Sequence, residues 1–335
     1  MQAAIYAPLG FELSRDEQRF FRDAEPAAFI LFRRNCENPE QLQRLTDSLR
    51  DLTGRADLPI LIDQEGGRVA RMRPPEWPAF PAAERFAKLY QAAPSSAIEA
   101  ARSNARALAL MLRSCGINVD ALPLLDVRQE GATDIIGDRA LGSEPMQVAA
   151  LGRAVLDGLA SAGVVGIIKH IPGHGRALVD SHKELPIVTA SAEELEIDLE
   201  PFERLASAPM GMTAHVVYTA WDPDRPATMS PIVIRDIIRG RIGFDGFLMS
   251  DDLGMEALEG DFTSRAAGVL TAGCDAALHC SGKMEEMVAV ASGTSAMTTE
   301  GEARLSRAMA STMIEPEPMD FAAEINKRDT LLALV

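Results

Sequence analysis

The sequence predicts an α/β protein built as a single-domain (β/α)8 barrel of the TIM type over residues 1–335. Three observations carry this. Short aliphatic runs recur without the polar/apolar alternation of a half-exposed strand, which marks strands buried on both faces. Segments of helical period lie between them, and no Pro/Gly/Ser-rich linker or shift in composition divides the chain. Strand and helix alternating without a break argue for one parallel sheet closed on itself. An open Rossmann-like sheet is the competing fold, but no GxGxxG follows the first strands.

The strands are expected at AAFILF (27–32), LPILID (58–63), GINVDALPLLDV (116–127), GVVGIIKH (163–170), GMTAHVVY (211–218), GFLMSDD (246–252) and CDAALHC (274–280). Between them, Leu42, Leu45, Leu49 and Leu52 follow the 3, 4, 3 spacing of one helical face after Pro39. The Ala-rich segment 97–112 and the segment 146–159 have the same period and favourable helix propensity. No internal repeat or low-complexity tract is present.

Composition narrows the function. Hydrophobic residues at 47% and charged residues at 24% describe a globular chain able to bury a core. With 33 Lys and Arg against 49 Asp and Glu, the net charge of -16 repels nucleic-acid backbones and anionic lipid headgroups. Neither nucleic acid nor membrane is an expected partner. Cys36, Cys115, Cys274 and Cys280 are scattered without CxxC pairing, as suits reduced thiols in a cytosolic protein. Residues 1–13 have no Lys or Arg to start a signal peptide and are interrupted by Pro8 and Gly10, so they are read as mature sequence. No apolar run reaches the roughly 18 to 20 residues that span a bilayer. The expected location is the cytoplasm.

Polar residues collect at the downstream ends of the aliphatic runs: Arg33 and Asn35, Asp63, Asp126, Lys169 with His170, His215, and Asp251 with Asp252. In a parallel barrel those ends share one face, where active sites are built. A single polar residue after a strand is usually a turn former or helix cap, and Asp126, Asp252 and His215 are read that way. The set as a whole points to a site.

The segment KHIPGHGRALVDSHKELPIV (169–188) packs Lys169, His170, His174, Asp180 and His182 around Gly173 and Gly175, and holds three of the five histidines. The glycines allow unusual backbone angles and mobility, so a long loop over the barrel mouth is expected. In extended chain, residues two apart face the same side, so Asp180 and His182 can meet. A carboxylate beside an imidazole orients the ring and favours its protonated form, as a general acid near neutral pH requires. His170, His174, Asp180 and His182 also have the chemistry of metal ligands. Their spacing is not that of an HExxH helix, and Pro172, Gly173 and Gly175 prevent one. No metal and no other cofactor is expected, and His174 is read as holding the loop. In FLMSDDLGM (247–255), Asp251 is the first charged residue after an apolar run and should reach the mouth, with Asp252 starting the next helix as a cap. A carboxylate there can attack an anomeric carbon, as retaining glycosidases require.

Taken in order, LIDQEGGRVARM (61–72), IIGDRALGSEP (135–145), KHIPGHG with DSH (169–182), MTAHVVY (212–218) and MSDDLGM (249–255) resemble the bacterial β-N-acetylglucosaminidases of glycoside hydrolase family 3. The likeness runs from about Phe29 to Asp251, and the pairing of KHxPGHG with DSH sets that group apart from the family's β-glucosidases. By this resemblance Asp251 is the nucleophile and His182 the general acid/base, with Asp180 supporting the imidazole. Asp63, Arg71, Arg139, Lys169 and His170 match positions that bind the hydroxyls of the terminal sugar. Glu65, Arg68 and Arg139 can equally form structural ion pairs near the rim. The resemblance implies a cytoplasmic enzyme of peptidoglycan recycling that hydrolyses N-acetylglucosaminyl-1,6-anhydro-N-acetylmuramic acid and its peptides, a small carbohydrate or muropeptide substrate. The sequence departs from the pattern at Ile171, where an aromatic is common, at Arg176 and Ala177, and at Gly254. None removes a reacting group. Phosphorolysis on the same scaffold, a metal-dependent hydrolase and a non-catalytic amino-sugar-binding protein are the alternative readings.

Overall fold

Each aliphatic run contributes a strand, and one further strand precedes them all. The computed structural model describes residues 1–129, 131–132, 134–179, 181, 184–313 and 317–335. The strands are β1 (Gln2–Tyr6), β2 (Pro26–Leu31), β3 (Ile60–Ile62), β4 (Val119–Asp120), β5 (Val165–Ile171), β6 (Met210–Thr213), β7 (Phe247–Asp252) and β8 (Ala276–His279). All pair in parallel, each with its neighbours in the chain, and β8 returns to β1 to close the barrel. Closure excludes the open Rossmann-like sheet.

Strand β1 was not among the predicted runs. Its sequence QAAIY is short, and small Ala3 and Ala4 give little apolar signal next to Pro8 and Gly10. In the barrel Ala4 pairs with Ala277 on β8 and Ile5 with Ala28 on β2, so both edges are used. Two other runs are divided. In GINVDALPLLDV, Pro123 cannot donate to a ladder, so β4 ends at Asp120 and the chain rejoins β5 through a bridge between Leu124 and Lys169. GMTAHVVY stays in the barrel to Thr213, and Val217–Tyr218 instead joins a small sheet with Ile187–Val188 and Asp222–Pro226.

The barrel interior is filled by Ile5, Ile30, Leu61, Val165, Ile167 and Met249, and a second layer packs the outer strand faces against the helices. Each such side chain contributes on the order of 1.5–3 kcal/mol when fully buried. The helix Pro39–Thr53 shows how local signals place this outer layer. The Asn38 side chain accepts from the Gln41 N–H at 2.9 Å, Pro39 opens the first turn, and Gly54 closes it at a φ of 66°. Leu42, Leu45 and Leu49 then face the barrel. The helices Pro94–Ser114 and Pro145–Ser161 cover the two helical segments expected from the sequence. Among the described residues no helix is long and apolar enough to cross a membrane.

Candidate active site

The downstream ends of the strands surround a cavity of about 260 Å³. Its lining includes Asp63 just beyond β3, Lys169 and His170 on β5, and Asp251 on β7, together with Arg71 and Arg139 from loops. Six of the eight site residues expected from the sequence therefore share one cavity. The other two, Asp180 and His182, lie outside the described residues.

A chain of alternating charge runs along one wall. Arg71 Nη2 donates to Asp63 Oδ2 at 3.1 Å, and Lys169 Nζ donates to Asp63 Oδ1 at 3.0 Å. Lys169 Nζ also lies 2.7 Å from Glu65 Oε1, and Arg139 donates to both Glu65 oxygens at 2.8 Å. Lys169 is 2% exposed, a position that only a paired ammonium tolerates. Burial opposes ionisation of Asp63, but Lys169 and Arg71 outweigh it and hold the carboxyl well below the usual range. Glu65 is lowered in the same way by Lys169 and Arg139 against the effect of burial. Burial opposes the charge on Lys169, but the Glu65 and Asp63 carboxylates outweigh it and raise its pKa. Arg71 Nε is buried without a hydrogen-bond partner among the described residues. A donor left unmatched at a cavity wall fits a ligand that brings its own acceptor.

Asp126 is fully buried, and its role differs from the turn former or cap expected of it. Oδ2 is 2.8 Å from His170 Nδ1, while Oδ1 accepts the backbone N–H groups of His170 at 3.2 Å and His174 at 2.7 Å. Burial would raise this carboxyl, but the two histidines bring it down to about 2. An ionised carboxylate only accepts, so His170 Nδ1 carries the proton and Nε2 remains as the ring's second polar atom. His174 is held by its backbone, and its Nε2 meets Ser181 Oγ at 3.1 Å. Burial, reinforced by His170, pushes the His174 imidazole down to about 4, so the ring is neutral near pH 7. This agrees with a loop-holding residue.

Asp251 lines the cavity and accepts the Asp252 backbone N–H at Oδ1, 2.8 Å away. Asp252 fixes the turn around it. Its Oδ1 accepts from Gly254 at 3.0 Å and Cys280 at 3.1 Å, and its carbonyl accepts from His215 Nε2 at 3.0 Å. Asp252 is thus a turn former but not a helix cap; Asp261 caps the following helix, Phe262–Ala272. His215 ties the end of β6 to the end of β7, and burial lowers its pKa and keeps the ring neutral.

Glu65 and Asp126 are the polar groups of the site that sequence reasoning passed over. Glu65 was set aside as a rim ion pair, although it stands two residues from Asp63 and so on the same side of extended chain. Arg68 does form an ion pair, with Asp138 at 2.7 Å. Among the described residues no cluster of three or more His, Cys, Asp or Glu side chains could hold a metal ion.

Comparison with known proteins places this geometry in context. Residues 5–311 match the glycosyl hydrolase family 3 N-terminal domain. A β-hexosaminidase of Alkalilimnicola ehrlichii is 41% identical over 276 residues, covering 81% of this chain and 78% of the relative. One from Bordetella avium is 38% identical over the same length and the same shares. NagZ from Neisseria gonorrhoeae, solved in complex with N-trifluoroacetyl-D-glucosamine, is 33% identical, superimposes with a TM-score of 0.88, and is covered over 98% of each chain.

Proposed function

The chain belongs to glycosyl hydrolase family 3, as a β-N-acetylhexosaminidase, and from that premise we propose that it is a retaining exo-β-N-acetylglucosaminidase of peptidoglycan fragments. Its substrates are N-acetylglucosaminyl-1,6-anhydro-N-acetylmuramic acid and the peptide-bearing forms, met in the cytoplasm. Asp251 attacks the anomeric carbon while His182, supported by Asp180, protonates the leaving oxygen. The covalent glycosyl intermediate is then released by water that His182 deprotonates. These groups suffice without a cofactor.

The observation that carries this reading is the placement of the Asp251 carboxylate in one cavity with Asp63, Arg71, Arg139, Lys169 and His170. That wall offers fixed charged donors and acceptors, which suit sugar hydroxyls whose orientation must be set. The unmatched Arg71 Nε supports it further. So does the similarity to a Neisseria protein solved with an N-acylated glucosamine. Mechanism and nucleophile are tested together with a 5-fluoro β-N-acetylglucosaminyl fluoride, followed by peptide mapping. The expected adduct is on Asp251, and Asp251→Asn should fold normally, take no label and lose turnover. An adduct on another residue, or full activity of Asp251→Asn, would overturn the assignment. Product analysis in phosphate buffer should yield free N-acetylglucosamine; the 1-phosphate would identify a phosphorylase.

A further inference from the structure

Two consecutive residues hold the two ends of Arg71. Asp63 accepts from its guanidinium at 3.1 Å, and Gln64 holds its backbone. After β3 the chain turns tightly, with Gly66 bridged to Val69 and the Glu65 N–H donating to the Val69 carbonyl at 2.9 Å. It then returns past Gln64, whose side chain pairs with the returning backbone. Oε1 of Gln64 accepts the N–H groups of Arg71 at 2.8 Å and Met72 at 3.0 Å, and Nε2 donates to the Met72 carbonyl at 2.9 Å. The Gln64 N–H in turn donates at 3.0 Å to Oδ1 of Asp120, a wholly buried residue on β4. Gln64 is itself 1% exposed. It ties the returning loop to the barrel.

The described lining of the cavity includes Asp63 and Glu65 but not Gln64 between them. In extended chain the middle side chain points the other way, which leaves it free to serve the backbone behind the wall. Its type fits that task. An amide accepts and donates from one planar group, so it satisfies two N–H groups and a carbonyl at once. An ionised carboxylate would only accept, and would add a third negative charge beside Asp63 and Glu65. We propose that Gln64 is a positioning residue for sugar binding: it fixes the Arg71 backbone and thereby sets where the Arg71 guanidinium meets a hydroxyl of the terminal sugar. Gln64 touches no substrate and acts through Arg71 alone. This rests on the reading above, in which Arg71 belongs to the sugar-binding wall.

The test is a double-mutant cycle between Gln64→Met and Arg71→Ala, read as KM and kcat on an aryl β-N-acetylglucosaminide. Met keeps a similar volume without the amide. Gln64→Met should raise KM about tenfold, the weight of one hydrogen bond to a charged group, and leave kcat nearly unchanged. In the Arg71→Ala background the same substitution should raise KM no further, because the residue through which it acts is gone. Additive losses would show that Gln64 only supports the fold, and would overturn the proposal. A raised KM in Arg71→Ala beside a wild-type KM in Gln64→Met overturns the positioning role alone. A wild-type KM in Arg71→Ala defeats the sugar-binding reading of Arg71 and the positioning role with it. If Gln64→Met does not fold, amide exchange in the wild type decides. The Arg71 and Met72 amides should exchange slowly and together, since one acceptor atom holds both. Exchange of either at the rate of an exposed loop would show that Gln64 does not hold this backbone.

Discussion

Asp126 holds His170 by both ring and backbone, with Oδ2 2.8 Å from Nδ1 and Oδ1 3.2 Å from the amide nitrogen of the same residue. The same Oδ1 holds the amide of His174 at 2.7 Å. One buried carboxylate thus fixes the tautomer of a ring that lines the cavity and pins the loop beyond it. A group placed this way acts on substrate only through the residues it positions.

Asp126→Asn should keep the fold and lower kcat/KM by up to about a hundredfold, because a misplacement of the order of 1 Å costs that much. The loss should fall mainly on KM if His170 contacts the sugar in the ground state. The substitution also removes an acid-dependent contribution to stability. The carboxyl falls from 3.8 to about 2 on folding, so its stabilisation is present above pH 3.8 and disappears as pH falls through about 2. Urea midpoints between pH 4 and 2 should fall less steeply for Asp126→Asn than for the wild type. Parallel curves would show that this carboxyl is not depressed by folding.

His174 predicts a second pH dependence, in a different window. Burial first, then His170, lowers its pKa from 6.5 to about 4. Between those values the unfolded chain binds a proton that the folded chain excludes, so stability rises with pH across the window. Wild-type stability should therefore decline as pH falls from 6.5 to 4, by on the order of 3 kcal/mol from this group. His174→Gln should flatten the decline while retaining a partner for Ser181. NMR titration of the ring should show it neutral at pH 6; a protonated ring at that pH would contradict the burial argument.

Glu65 joins the Arg139 and Lys169 cations, and its side chain is 4% exposed. Removing its charge leaves two basic groups facing each other in the wall. Glu65→Gln should destabilise the protein by about 3 kcal/mol, the lower end for breaking a buried pair, since Asp63 still serves Lys169. KM for an aryl N-acetylglucosaminide should rise with it. Pairing the change with Arg139→Gln should recover part of the stability, and the coupling in that double-mutant cycle measures the contact. Strict additivity of the two single changes would mean the bidentate pair contributes nothing net.

Much of this architecture was legible because two-sided burial writes itself as uninterrupted aliphatic runs. LPILID and GVVGIIKH each end in the polar residues that reach the cavity, and parallel strands bring those ends together regardless of their distance in sequence. The signal failed where apolar content was low or interrupted. QAAIY fills its place in the barrel with alanines, which propensity does not assign to strands, and Pro123 cut a run that looked continuous. Asp126 was misread for a related reason. In one dimension a carboxylate after LPLL is the same whether it caps a turn or orients an imidazole 44 residues later. Glu65 looked like a rim ion pair, and only the fold shows that it pairs with Arg139 and Lys169 and lines the cavity with them.

Gly175 yields a prediction that loop mobility alone would not suggest. Gly173 has a φ of 132°, which a side chain rarely adopts, but Gly175 does not need a left-handed backbone. What it needs is proximity: a Cβ there would lie 1.9 Å from the Val127 carbonyl oxygen. The Gly175 carbonyl accepts from the Gln129 N–H at 3.3 Å, so the two segments are held together at this point. Gly175→Ala must push the loop away from the segment that carries Asp126, since backbone rather than a flexible side chain occupies the space. Val127 is adjacent to Asp126, so the displacement should loosen the brackets on His170 and His174. Activity should fall at least as far as in Asp126→Asn, and amide exchange should increase across 126–129 and 170–177. Gly10→Ala is the control: nothing lies within 4 Å of a Cβ there, and both properties should stay unchanged. Wild-type exchange and activity in Gly175→Ala would show that the two segments are not packed as closely as this geometry requires.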